Sequence, residues 1–359
     1  MHLIYFLLLI FISNLSFARA QTHLENYLNS LRETYVIPAI SAAIFQHGKM
    51  LEHAVSGIRK VDSPEFITKE DKFHIGSCTK SMTATLAATF VDDGVLKWKS
   101  KIGEFFPDLE IHPDLKNATF EMLLSHTSGL DINPIFEGEV SREELAETYL
   151  IISPRFEVGS FHYSNIGYII AGYILEKVSG KSWETLLVER IFNPLKMKTC
   201  GFGPVSNPTE EIPSGPWGHI LSDWKIIPLH ADNAPIFGPS GTVHCSIPDW
   251  VKYLDIHLRG FNVESNFLSK ENFMKLHEIS SHDYTFGGWL RLEREWSYGS
   301  VLTHSGSNTL NYAQVWIAPK ISTILISTAN RGGSSGETAT TEAIAEMIEI
   351  YLSNSNQLE

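Results

Sequence analysis

The 359-residue sequence predicts an α/β (α+β) fold: one antiparallel sheet, built from both chain ends and covered by terminal helices, carries a large inserted subdomain that is mostly helical. Three observations predict it. Strand-like runs cluster near the two ends, helical patterns flank those clusters, and the long stretch between them reads as helices punctuated by Gly and Pro. At 43% hydrophobic residues the chain has ample material for a buried core.

In chain order, a helix over about residues 22–35 precedes two strands, 37–45 and 50–56, joined through the turn-like Gln46-His47-Gly48-Lys49. A helix follows from about 77 to 93, with Met82, Leu86, Ala87 and Phe90 on one stripe and Gly94 as its stop. Another covers 165–179. Strand patterns return at 301–304, 313–318 and 323–329, and a closing helix over about 337–352 sets Ala343, Ile344, Met347 and Ile350 on one face. The sheet subdomain therefore takes about 21–58 and 285–359, and the helical subdomain about 59–284, with no repeats or low-complexity linkers.

Residues 3–12 are almost wholly apolar and lead to Ala18-Arg19-Ala20, the small-x-small pattern of a signal-peptidase site. Residues 1–20 thus read as a signal peptide and Gln21 as the mature start of an exported protein, periplasmic or secreted, with no stable membrane insertion after cleavage. Only His2 and the amino terminus offer positive charge ahead of the apolar run, so an uncleaved anchor is the other reading. A net charge of −13 argues against a nucleic-acid partner. Cys78, Cys200 and Cys245 allow one disulfide but form no framework, and their spacing suggests no metal site. Cys78 reads as a small apolar helix residue.

The chemistry starts at Ser77-Cys78-Thr79-Lys80, a serine and a lysine three apart where a helix begins. Residues at i and i+3 share a helix face, so the Lys80 amine lies within reach of the Ser77 hydroxyl and eases removal of its proton. The Ser77 backbone N–H, near the positive end of the helix dipole, points to where an oxyanion develops. Two further segments accompany it: Tyr163-Ser164-Asn165, ahead of the 165–179 helix, and His304-Ser305-Gly306-Ser307 at the end of a strand.

Ser-x-x-Lys, Tyr-x-Asn and His-x-Gly in this order resemble the serine β-lactamase and penicillin-binding protein superfamily, in the branch of class C β-lactamases, D-Ala-D-Ala carboxypeptidases, D-aminopeptidases and related esterases. The segments 123–130, 191–197 and 238–243 are similar to the same branch. Tyr163-Ser164-Asn165 stands where class A enzymes carry Ser-Asp-Asn. The resemblance implies a β-lactamase/transpeptidase-like fold whose site lies between sheet and helical subdomain, with Tyr163 as the phenolic partner of Ser77 and Lys80. Lys80 would favour the phenolate of Tyr163, so either of the two serves as proton acceptor. Asn165 would offer its side-chain amide to the substrate carbonyl and to Lys80, or cap the following helix. Gly306 would leave room for substrate along the strand, and the Ser307 N–H would complete the oxyanion hole.

His304 departs from the lysine of class C β-lactamases, and a histidine mostly neutral at pH 7 attracts a carboxylate less than an ammonium does. Arg331 reads as a carboxylate anchor or a solvated loop residue, His126 as a structural element, and Trp217, Trp224 and Trp289 as pocket lining or core. The expected function is a serine hydrolase acting through an acyl-enzyme on Ser77, cleaving an ester or peptide-like amide, with no metal or organic cofactor. The alternatives are a D-Ala-D-Ala carboxypeptidase or β-lactamase, acting on a peptidoglycan-like or antibiotic substrate, and a slow-turnover penicillin-binding or sensing module. The oligomeric state is left open.

Overall fold

The computed structural model describes residues 22–262 and 265–355; the 1–20 segment lies outside the described residues. Its centre is an eight-stranded antiparallel sheet in the order β2 (Lys49–Gly57), β1 (Ala39–Gln46), β13 (Thr323–Ala329), β12 (Tyr312–Ala318), β11 (Gly299–Ser307), β10 (Leu290–Arg294), β9 (Tyr284–Thr285), β8 (Ile279–Ser281). The two chain ends meet where β1 pairs with β13, with Ile40 opposite Ala329 and Phe45 opposite Ile324. Successive side chains of these strands enter different cores. Ala42, Ile44 and Leu325 face the terminal helices α1 (His23–Thr34) and α4 (Gly333–Ser355), while Ala43, Phe45, Ile324 and Ile326 face the helical insert. Burial on both faces explains why the strands read as near-continuous apolar runs. Thr22 and Glu25 form a capping box that fixes the start of α1, and Leu24, Leu28 and Leu31 anchor it.

The insert packs around α2 (Thr79–Asp92), whose residues are buried on nearly every side, including Thr79, Lys80, Ser81, Thr83 and Thr85. A single apolar stripe was the expectation; a central helix instead buries polar side chains with partners, as Thr83 Oγ1 donates to Pro239 O at 2.7 Å. Gly94 has a φ of +73°, in keeping with its place just past the helix end.

The insert is less purely helical than expected. β3 (Lys72–His74), β4 (Gly201–Phe202) and β7 (Val243–Ser246) form a small sheet, and β5 (Gly218–Ser222) pairs with β6 (Lys225–Leu229). The C-terminal part of the main sheet begins at Ile279, where about 285 was expected. Strands of two to five residues complete too few alternations to give a periodic signal. The closing helix likewise starts at Gly333, four residues before the expected 337. Cys200 and Cys245 form a disulfide, a pairing their spacing allowed but did not indicate, and Cys78 is free and buried. Among the described residues no helix is long and apolar enough to cross a membrane.

Candidate active site

Ser77 lies in a single 3-10 turn, Gly76–Cys78, that feeds directly into α2. Gly76 takes a φ of +50°, which glycine adopts without strain. One helical turn on, Lys80 is fully buried, and its Nζ donates to Ser77 Oγ at 3.2 Å, to Asn165 Oδ1 at 2.6 Å and to the Ser240 carbonyl at 2.8 Å. Burial penalises the ammonium and pulls the Lys80 pKa down to about 7. The partner set matters as much as the shift. Asn165 Oδ1 and Ser240 O only accept, whereas the Ser77 hydroxyl both donates and accepts. A neutral amine therefore satisfies all three by giving its two N–H groups to the carbonyl oxygens and turning its lone pair to Ser77.

Tyr163 shares a hydrogen bond with Ser77, but burial raises its phenol pKa, and that hydrogen bond offsets the shift only in part. This corrects the expectation that Lys80 draws the phenol into working range: Nζ sits over the face of the Tyr163 ring, 4.8 Å from its centroid. His126 supports the ring from beneath, stacked at 4.3 Å. Its Nδ1 accepts the Ser164 N–H at 2.9 Å and its carbonyl accepts the His162 N–H at 2.8 Å, so the fully buried residue, held at a φ of +61°, fixes the extended segment that presents Tyr163. Burial holds it neutral, well below the usual histidine range.

Asn165 opens α3 (Asn165–Ser179), yet the cap is Ser164, whose Oγ accepts the Gly167 N–H at 3.0 Å. That leaves the Asn165 amide for the site. It holds Lys80 through its oxygen, since an ammonium or amine N–H needs an acceptor, and its Nδ2 donates to Asn133 Oδ1 at 2.7 Å. Asn133 was not singled out in the sequence, and Ser240 lies in the 238–243 segment noted there without a role. Ser240 acts through its backbone, which side-chain identity does not signal.

The opposite wall is β11. Its pairing with β10 stops at Thr303, so residues 304–307 have no strand partner on that edge among the described residues. The Ser77 turn lies against it. A Cβ on Gly306 would stand 2.1 Å from Ile75 O and 2.5 Å from Ser77 N, so glycine is required by contact with the turn rather than by room for substrate. Ser307 is exposed, and its Oγ donates to Asn311 O at 2.7 Å.

His304 is 6% exposed, and its Nε2 lies 3.0 Å from the hydroxyl of Tyr284. Burial pulls its pKa down to about 3, with Lys80 adding to the shift, so it presents no charge to a substrate at neutral pH. Arg331 is neither anchor nor solvated loop residue: 7% exposed, it donates through Nη1 to Tyr35 O at 2.7 Å and Val36 O at 2.9 Å, tying the last strand to the end of α1. Trp289 is core, Trp224 is 95% exposed at the β5–β6 turn, and Trp217 carries Lys60 Nζ 4.2 Å above its ring. Burial pushes the Cys78 thiol up and keeps it inert.

A family model described as Beta-lactamase matches residues 24–347 of the chain. Penicillin-binding protein 4 of Amycolatopsis lactamdurans is 27% identical over 254 residues, which cover 66% of this chain and 63% of that protein. The unguisins hydrolase ungD' of Aspergillus campestris is 26% identical over 204 residues, 52% of this chain and 38% of its own length. The chain thus spans less than two thirds of either relative. Among solved structures, the octameric penicillin-binding protein homologue from Pyrococcus abyssi aligns with a TM-score of 0.76 at 23% identity, covering 91% of this chain and 77% of that one, a likeness of fold.

Proposed function

The chain belongs to the beta-lactamase family, and on that premise we propose that it is an exported serine hydrolase that forms an acyl-enzyme on Ser77 and cleaves a neutral ester or peptide-like amide. One observation carries the reading: a buried Lys80 with a pKa of about 7, 3.2 Å from Ser77 Oγ, its other partners being acceptors only. Neutral Lys80 takes the Ser77 proton as Oγ attacks the carbonyl carbon. Charge gathers on the carbonyl oxygen between the N–H groups of Ser77 and Ser307. Tyr163, protonated and hydrogen-bonded to Ser77, passes a proton toward the leaving group while Lys80 replaces it. Water then cleaves the acyl-enzyme by the reverse sequence.

The substrate class follows from the charges. His304 is neutral and Arg331 is committed to backbone carbonyls, so neither offers a cation to a substrate carboxylate. The second reading, a D-Ala-D-Ala carboxypeptidase or penicillin-binding module acting on peptidoglycan-like substrates, draws on the likeness to penicillin-binding protein 4. A chromogenic short-chain ester, a cephalosporin and a D-Ala-D-Ala peptide, offered side by side with intact-mass detection of adducts, separate the two. The ester is expected to turn over fastest; faster turnover of either carboxylate-bearing substrate overturns the neutral-substrate reading. Export is supported by the Cys200–Cys245 disulfide, which suits an oxidising compartment. The amino terminus of exported protein is expected at Gln21, and retained Met1 would contradict cleavage.

A further inference from the structure

The two backbone donors of the oxyanion site come from different elements, Ser77 from the turn before α2 and Ser307 from the end of β11. Their separation decides whether both reach one oxygen. Gly76 and Gly306 let the backbones touch: a Cβ on Gly76 would stand 2.3 Å from Ser307 N. Contact sets a minimum distance, but it does not keep the halves from sliding or parting.

A buried polar chain spans the gap. His74, on β3, accepts the Gly76 N–H at Nδ1, 3.1 Å away. That Nδ1 therefore carries a lone pair, and the ring proton sits on Nε2, which donates to Asp232 at 2.9 Å. The side chains of His74 and Asp232 are only 2% and 3% exposed. Asp232 Oδ1 accepts the Asn308 Nδ2–H at 3.0 Å, and Asn308 directly follows Ser307. Asn308 Oδ1 in turn accepts from Asn311 N at 2.9 Å and Asn311 Nδ2 at 3.1 Å, closing the turn after β11. Asp232 Oδ1 also takes the Asn233 N–H at 2.7 Å, and Asn233 Nδ2 donates to Gly241 O at 3.2 Å, next to the Ser240 carbonyl that holds Lys80.

A carboxylate held this deep is costly unless its oxygens are filled. Here its donors come from both walls of the site, and none of them belongs to a reacting group. Building on the assignment of Ser77 as nucleophile, we propose that His74, Asp232 and Asn308 are positioning residues that hold the Ser77 and Ser307 N–H groups in register. Asp232 does so partly by fixing the tautomer of His74. With an amide at 232, the side-chain NH2 can face Nε2 and send the ring proton to Nδ1. That proton would then oppose the Gly76 N–H, donor against donor, and displace the turn.

The test is the isosteric Asp232→Asn, with Asn308→Ala as a second variant that leaves His74 and Asp232 in place. A fluorophosphonate is the probe, because its phosphoryl oxygen occupies the oxyanion site as Ser77 attacks; intact mass follows the reaction. Asp232→Asn is expected to lower the maximal labelling rate by about 10- to 100-fold at little-changed half-saturation. The melting temperature should be retained, and 15N spectra should show the His74 proton moved from Nε2 to Nδ1. Asn308→Ala is expected to lower the rate less, with the tautomer unchanged, and decides the matter if Asp232→Asn does not fold. Wild-type labelling rates in the folded variants overturn the proposal, as does a loss that only tracks the folded fraction. If the wild-type protein is not labelled at Ser77, the nucleophile assignment fails first and this inference with it.

Discussion

Lys80 on α2 and His304 on β11 are both basic side chains taken out of water on the two walls of one site, and burial lowers both pKa values by a similar amount from different ordinary values. It brings Lys80 to about 7 and His304 to about 3. The end points, one at neutrality and one far below it, are only half of the difference. The lone pair of neutral Lys80 turns to the Ser77 hydroxyl, whereas His304 Nε2 turns to the phenol of Tyr284. Desolvation makes a base; what the base faces decides whether it has a nucleophile's proton to take.

The largest expected effect comes from breaking the Lys80 side. Lys80→Arg keeps a cation but cannot shed its proton, so acylation of Ser77 should fall by about 10³-fold or more, close to the loss in Ser77→Ala. Turnover of a chromogenic ester by protein whose melting is checked beside it decides this. Substantial activity in Lys80→Arg would mean that the lysine acts only as a fixed charge. On the other wall, His304→Gln should leave neutral-ester kcat/KM within about threefold, because His304 is already uncharged and faces Tyr284. If it abolishes turnover as completely as Ser77→Ala while the fold is intact, His304 is an acid or base and the contrast collapses.

How much of this was legible in the sequence differs between the walls. Ser77 and Lys80 meet as their spacing in Ser-x-x-Lys implies, whereas Tyr163 and Asn165 join them where the family resemblance, not spacing, puts them. The terminal strands and helices were legible because each is long enough to repeat its period. Protonation was not legible. Tyr163 and His304 take their states from burial, which only the assembled sheet and insert create. Tyr284, which pins His304, sits in a two-residue strand with no pattern of its own, and Asp232 is joined to His74 across 158 residues of chain.

A smaller effect concerns stability. His304 and His277 are held near 3, and His53, His219 and His244 near 4, all by burial. Between the unfolded value of about 6.5 and these lowered values the unfolded chain binds more protons, so stability should fall as pH drops through that window. Melting curves from pH 7.5 to 4 are expected to show a steady decline that His304→Gln makes shallower. A flat melting temperature across that range would mean that these histidines are not held neutral.

The central claim is that neutral Lys80 activates Ser77, and the pH dependence of Ser77 phosphonylation, mapped to its peptide by mass spectrometry, tests it most directly. The adduct is expected on the Ser77 peptide, with a rate that rises as pH climbs through about 7 and levels above it, the sign required when the deprotonated amine is the active form. Labelling at another residue, or a rate flat through pH 7 that rises only toward the range of a tyrosine phenol, would contradict it.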